Sequence, residues 1–95
     1  MSAYLIVDIK CHDPEPYARY KELVKPMFEA AGGKYHVRGG AHETLEGDWD
    51  PERIIVMEFP SREAIHKLFD SEEYAPLKEL RHSSTTARII IVDGV

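Results

Sequence analysis

Four polar side chains interrupt segments of the sequence that are otherwise apolar: Asp8, His36, Arg38 and Glu58. Because side chains alternate between the two faces of a β-strand, counting along the strands predicts that all four share one face of a sheet. An antiparallel return of the chain predicts an ion pair between Arg38 and Glu58, with Asp8 towards the opposite end. In a small pocket, Arg38 would bind an anionic or enolate oxygen while Glu58 or His36 moves a proton. The alternative is a structural salt bridge that fixes strand register or a subunit interface.

Two aromatic residues and a second arginine are also suited to ligand binding: Trp49, Tyr74 and Arg81. Trp49 lies in a predicted turn, where it either covers a ligand or packs across a subunit interface. Tyr74 and Arg81 share one face of a predicted helix, so they either close over a pocket or anchor the helix to the sheet. The predicted ligand contacts are therefore Arg38, Trp49, Tyr74, Arg81 and Asp8.

The histidines and the single cysteine do not have the spacing of a metal site. Zinc sites usually contain closely spaced Cys or His pairs, whereas these residues fall on different predicted elements. The glycine pairs at 32–33 and 39–40 lack the third glycine or the Gly-Lys-Ser/Thr sequence of nucleotide-binding loops. We therefore expect neither a metal nor a cofactor. The residues concerned are Cys11, His12, His36, His42, His66 and His82.

The composition indicates one compact domain spanning residues 1–95. Twelve Lys plus Arg against 17 Asp plus Glu give a net charge of −5, which argues against binding to nucleic acid or an anionic membrane. The apolar run Tyr4–Ile9 is too short for a signal-peptide core or a membrane span, and Cys11 alone cannot close an internal disulfide. We expect a cytoplasmic protein.

Hydrophobic periodicity predicts the element order β-α-β-β-α-β, with the second helical region in two pieces. Pro26 predicts a kink or break near Val24, Gly39–Gly40 a bulge or bend, and Ser83–Thr86 a loop. The predicted strands are Tyr4–Ile9, Lys34–Arg38, Ile54–Phe59 and Arg88–Val92, and the predicted helices are 14–31, one between the Ser61 cap and Asp70, and 72–81.

This order is that of the ferredoxin-like α+β fold, a four-stranded antiparallel sheet with helices on one face. The strands are apolar on both faces, and two helical layers cannot cover both. The sequence therefore predicts a homodimer joined sheet to sheet. The predicted helix-facing residues are Leu5, Val7, Ile9, Val37, Ile55, Met57 and Phe59, and those on the other face are Tyr4, Ile6, Ile54 and Val56.

Several motifs occur together along the chain: Arg38-Gly39-Gly40, Leu45-Glu46-Gly47-Asp48-Trp49, Pro51-Glu52-Arg53, Glu58-Phe59-Pro60-Ser61, Ser71-x-Glu73-Tyr74 and Arg81. In this combination the sequence resembles, over nearly its whole length, the family called domain of unknown function 1330. The resemblance implies a dimeric α+β barrel, a superfamily that includes cofactor-independent monooxygenases, haem-degrading enzymes, isomerases and small ligand-binding proteins. It also singles out Arg38, Glu46, Trp49, Arg53, Glu58, Tyr74 and Arg81.

Together these features predict a homodimer that binds a small anionic or aromatic metabolite between its sheet and helices. Two alternatives stay open. The resemblance implies a cofactor-independent monooxygenase or isomerase-like enzyme, with Arg38, Trp49 and Tyr74 around an aromatic substrate. A dimer with a purely structural or regulatory role, whose charges only set register, is the other.

Overall fold

The computed structural model describes residues 2–95 as a four-stranded antiparallel sheet with three helices packed on one face. The elements are β1 (Ala3–Cys11), α1 (Pro14–Ala30), β2 (Lys34–Arg38), β3 (Arg53–Phe59), α2 (Arg62–Phe69), α3 (Ala75–Ser84) and β4 (Thr85–Asp93). The strand order in the sheet is β2-β3-β1-β4, and neighbouring strands pair antiparallel throughout. This arrangement confirms the predicted ferredoxin-like fold.

The hydrophobic core lies between the sheet and the helices. Strand β1 alternates strictly, with Leu5, Val7 and Ile9 buried and the residues between them partly exposed. The matching stripe of α1 buries side chains at helical spacing, which is the pattern of a helix with one core face. The α1 residues in the core are Tyr17, Tyr20, Val24 and Phe28.

Helix α1 continues through Pro26, so the predicted break near Val24 is wrong. Proline removes one helical hydrogen bond, to the carbonyl of Glu22. Both Pro26 and Glu22 are exposed, so water can replace that bond, while the buried side chains of Val24 and Phe28 hold the helix on either side. Packing therefore outweighs the local preference of proline.

The predicted loop at Ser83–Thr86 is also wrong, because α3 runs to Ser84 and β4 starts at the next residue. The hydroxyls of Ser84 and Thr85 donate to the carbonyls of Leu80 and Arg81 at 2.7 Å each. The Ser84 carbonyl in turn accepts a bond from the backbone N–H of His12 at 2.8 Å. These polar residues thus satisfy the backbone at an abrupt helix-to-strand junction.

A β-bulge in β2 changes which of its side chains face the helices. Tyr35 pairs with Met57 but Val37 pairs with Val56, which leaves His36 as the extra residue. The bulge therefore lies at His36, whereas Gly39, where a bulge or bend was predicted, forms a bend. As a result Val37, predicted to face the helices, lies on the other side of the sheet and is 38% exposed.

The sheet face opposite the helices has no covering layer within residues 2–95, and we call it the open face. Its apolar side chains include Ile90, 56% exposed, and Val92, 42% exposed. The open face comprises Tyr4, Ile6, Asp8, His36, Val37, Ile54, Val56, Glu58, Arg88, Ile90 and Val92.

None of the helices formed by residues 2–95 has the length and apolar character needed to cross a membrane.

Candidate functional site

The bulge in β2 places Arg38 on the helix side of the sheet, where it pairs in register with Ile55. Its guanidinium carbon lies 4.7 Å from the ring centroid of Tyr35, close enough for a cation–π contact. The predicted ion pair between Arg38 and Glu58 is therefore wrong, because the two side chains lie on opposite faces. The prediction assumed regular alternation along β2, and one extra residue in the strand moves Arg38 to the opposite face of the sheet.

A second arginine, Arg53, faces the helices at the start of β3, opposite the buried Ile9. It is packed against the backbone of Gly39, where an added Cβ would lie 2.1 Å from the Arg53 Nη1 atom. Gly39 also has a φ of +71°, in the region that favours glycine. The Nε atom of Arg53 is buried and has no hydrogen-bond partner among residues 2–95. Gly39 therefore gives the guanidinium room to reach the helix side.

A third arginine, Arg81 on α3, is buried, with 8% of its surface exposed. Its Nε atom donates to the hydroxyl of Tyr74 at 3.3 Å, and that hydroxyl lies 2.8 Å from the hydroxyl of Tyr20. Tyr74 is completely buried. Residues 74 and 81 therefore contact each other, and the buried Tyr74 anchors this part of the chain.

The three arginines line a cavity of about 40 Å³ between the sheet and α1. Exposure falls from Arg38 through Arg53 to Arg81, so Arg38 marks the mouth. No aspartate, glutamate or histidine lines this cavity, and none of the three guanidiniums forms a salt bridge with a carboxylate of residues 2–95. The other lining residues are Leu5, Val7, Ile9, Tyr17, Tyr20, Lys21, Val24, Phe28, Tyr35, Ile55, Phe69 and Ile89.

The tyrosines of the cavity are held in their neutral form. Burial raises the pKa of Tyr17 and of Tyr35, and it raises that of Tyr20 most strongly. The positive charge of Arg53 opposes this effect at Tyr17, and that of Arg38 opposes it at Tyr35. At neutral pH these phenols therefore act as hydrogen-bonding groups and not as bases.

At one end of the open face, Asp8 accepts hydrogen bonds from Arg88 Nη2 at 2.7 Å and from Trp49 Nε1 at 2.9 Å. These bonds, that from Arg88 above all, hold the pKa of Asp8 below its usual range. The Trp49 contact fastens the loop of residues 39–52 across the sheet. Trp49, Asp8 and Arg88 line a wide, shallow depression with Asp48, Ile6 and Ile90.

At the other end of the open face, Glu58 accepts bonds from Ser2 at 2.7 Å and contacts His36 Nε2 at 2.8 Å. The Ser2 bond and then the His36 contact lower the pKa of the Glu58 carboxyl. His36 and Glu58 therefore form a pair, but the sheet separates them from the cavity. They are not placed to exchange a proton with a ligand beside Arg38.

The group predicted around an aromatic substrate, Arg38 with Trp49 and Tyr74, is not brought together. Trp49 lies over the open face, whereas Arg38 points to the helices and Tyr74 is enclosed beneath them. Among residues 2–95 there is also no group of three or more His, Cys, Asp or Glu side chains placed to hold a metal ion.

Sequence reasoning missed the phenols as site residues and reached Arg53 only through the family resemblance. Tyr17 and Tyr20 lie at helical spacing in the predicted helix 14–31, and the structure places both of them in the core and in the lining of the cavity. The available signal was that two of the core positions of one helix carry a phenol where Leu or Ile would fill the space without a polar atom.

The sheet topology and the cavity beneath the helices define a ferredoxin-like α+β protein with an enclosed, arginine-lined pocket. The chain belongs to the family described as Domain of unknown function (DUF1330), whose sequence profile matches residues 2–95.

Solved structures share this fold at low sequence identity. A protein of unknown function from Rhodopseudomonas palustris has a TM-score of 0.83 and 21% identity, covering 99% of this chain and 82% of that one. SnoaB, a cofactor-independent oxygenase from Streptomyces nogalater, has a TM-score of 0.66 and 11% identity, covering 99% and 93%. A dabb family protein with a ferredoxin-like fold from Mesorhizobium loti has a TM-score of 0.63 and 12% identity, covering 99% and 97%. No curated protein matches this chain.

Proposed function

We propose that this protein binds a small anionic metabolite, aromatic acids included, in the cavity between its sheet and helices. The observation that carries the proposal is the convergence of Arg38, Arg53 and Arg81 on one cavity without a carboxylate partner among residues 2–95. Unpaired charge below the surface is costly, and an anion from solution would compensate it. Arginine is also suited to the task, because its planar fork matches a carboxylate in two parallel hydrogen bonds.

The size of the cavity limits how such a ligand would sit. A volume of about 40 Å³ holds one or two waters, whereas a cavity of about 150 Å³ is needed to hold benzene. The oxyanion head of the ligand would therefore enter between Arg53 and Arg81. An aromatic remainder would lie at the mouth, against Arg38 and Tyr35.

The direct test is a titration with acetate, benzoate and salicylate at constant ionic strength, followed by the melting temperature and by NMR. Mass action raises the melting temperature of a protein that binds only in its folded state. Arg53→Gln should weaken binding by about tenfold or more, the effect expected from losing a hydrogen bond to a charged group. Arg19→Gln, which removes an exposed arginine of α1, is the matched control and should bind as the wild type does. A flat response of the wild type to all three anions would refute the proposal.

A second candidate, a cofactor-independent oxygenase, is favoured by the fold shared with SnoaB. The three guanidiniums would then stabilise the phenolate form of an electron-rich dihydroxy aromatic while it reacts with oxygen. The cavity lining contains no carboxylate or imidazole to remove a proton, which makes binding the better-supported activity. Oxygen uptake above the uncatalysed rate with a dihydroxynaphthalene, without flavin or metal, would identify the oxygenase.

We also propose that the protein works in a reducing cytoplasm, which suits the free Cys11. We further propose that two copies associate through the open face. Both carboxylates of this face already have hydrogen-bond partners, Asp8 in Arg88 and Glu58 in Ser2, so covering the face leaves neither carboxylate without a donor. Ile90→Lys should shift the mass measured by light scattering from dimer to monomer. Leu23→Lys, at an exposed leucine of α1, should not. A monomeric wild type would refute this association.

A further inference from the structure

Two hydrogen bonds join Tyr20 and Arg81 through the hydroxyl of Tyr74, which is completely buried. We call these three residues the Tyr20–Tyr74–Arg81 chain. Tyr20 and Arg81 both line the cavity, whereas Tyr74 lies behind them. Tyr20 is 7% exposed and Arg81 is 8% exposed. The hydroxyls of the two tyrosines are 2.8 Å apart, and Arg81 Nε lies 3.3 Å from that of Tyr74. Burial on this scale makes the direction of each hydrogen bond energetically important.

The direction follows from counting protons. Arg81 can only donate, so the oxygen of Tyr74 accepts its bond. If Tyr20 donated to Tyr74 as well, the proton of Tyr74 would have no acceptor among residues 2–95, at a site with no exposed surface. A buried donor left unsatisfied is destabilising, because it loses its hydrogen bond to water and gains none in the folded protein. The favoured arrangement is therefore Arg81 to Tyr74 and Tyr74 to Tyr20, which leaves the proton of Tyr20 free for another acceptor.

We propose that the Tyr20 hydroxyl donates into the cavity and that the cavity selects ligands whose inner end carries only acceptors, a carboxylate or an enolate oxygen. This inference rests on the proposed binding function and narrows its ligand class. A second observation points the same way: Arg53, which also lines the cavity, has a buried Nε atom with no hydrogen-bond partner among residues 2–95. Tyr74 and Arg81 are positioning residues in this scheme, since they fix the direction in which Tyr20 donates.

The proposal can be tested by comparing ligands that differ in whether their inner end accepts or donates hydrogen bonds, and not only in charge or size. With its oxygen already occupied by the proton of Tyr74, Tyr20 is not available as an acceptor for an incoming N–H group. The N–H group of an amide with the same shape as the acid would therefore face hydrogen-bond donors of the cavity and find no acceptor. We expect acetate to bind at least about tenfold more tightly than acetamide, the effect expected from one charge-assisted hydrogen bond.

The experiment is an NMR titration of three proteins with acetate and with acetamide at constant ionic strength. Tyr20→Phe should weaken acetate binding about tenfold or more and acetamide binding less, because the neutral amide carbonyl accepts a weaker bond than a carboxylate does. Tyr4→Phe removes the same hydroxyl from the open face and should bind both probes as the wild type does. Equal acetate affinity of the wild type and Tyr20→Phe would overturn the inference and leave the binding proposal standing. Absence of any acetate binding by the wild type would overturn both.

Two further measurements test the direction of the chain. Tyr74→Phe keeps the hydroxyl of Tyr20 but frees its oxygen to accept, so the preference for acetate over acetamide should fall; an unchanged preference would contradict the scheme. In the wild type, acetate should move the hydroxyl proton resonance of Tyr20 downfield, a readout that does not depend on any variant folding. A resonance that stays in place while acetate binds would refute donation by Tyr20.

Discussion

Replacing Gly39 with alanine tests whether the cavity is built as described. The φ of +71° puts an alanine in the left-handed region, which costs about 1–2 kcal/mol. The new Cβ would also lie 2.1 Å from Arg53 Nη1, whereas ordinary contact begins near 3.4 Å. The guanidinium must therefore withdraw by about 1.3 Å, the difference of these distances, and the strained side chain costs about 1 kcal/mol more. We expect Gly39→Ala to destabilise the fold by about 2–3 kcal/mol.

Gly47 offers a matched control for the backbone part of that cost. It has a φ of +92° but nothing within 4 Å of an added Cβ, so Gly47→Ala should cost only about 1–2 kcal/mol. Urea unfolding would measure both, and thermal melts should differ by about 4–8 °C, the shift produced by 1 kcal/mol in a domain of this size. In an Arg53→Ala background the two alanine variants should become equal. If Gly39→Ala keeps its excess cost there, the contact with Arg53 is not its cause.

Three other changes test separate parts of the structure. Pro26→Ala should stabilise α1 by about 2 kcal/mol in urea unfolding, because the helical penalty of proline exceeds its benefit in the unfolded chain; no gain would contradict the account of an unbroken helix. The pKa of Asp8 is lowered on folding, so its stabilising contribution is present above about pH 4 and is lost as the pH falls through the folded value. Asp8→Asn should therefore flatten the acid side of the curve of unfolding free energy against pH, and a curve parallel to the wild type would refute this. The hydroxyl of Ser61 accepts a bond from the N–H of Ala64 at 3.1 Å, so Ser61→Ala should cost about 1 kcal/mol, measured in the same way.

The fold could be predicted from the sequence because its two strongest hydrophobic patterns, in β1 and α1, match the burial of these residues in the structure. The alternation along β1 separates Leu5 and Val7 from Ile6 and Asp8, and the three-and-four spacing of α1 marks its core face. Both patterns arise from burial against a single layer, which is the dominant favourable term in folding. Local exceptions such as Pro26 did not change the order of elements.

The candidate site could not be predicted to the same extent, because its position depends on one irregularity. Side chains alternate between the two faces of a strand, so a single extra residue moves every later side chain to the opposite face from the one predicted. The reversal places Arg38 away from Glu58 and beside a cavity that Arg53 and Arg81 also line. Arg53 was placed just outside the predicted strand, and only the contact with Gly39 shows why a charged residue tolerates that position.

The bulge at His36 also allows the two faces of β2 to change independently in evolution. Removing His36 would restore regular pairing with β3 and keep Arg38 opposite Ile55, so the cavity would retain its outermost cation. The open face would lose the partner of Glu58. A one-residue change of length at this point therefore alters the open face while leaving Arg38, Arg53 and Arg81 around the cavity, so we expect relatives that differ in the length of β2 to differ in the open face first.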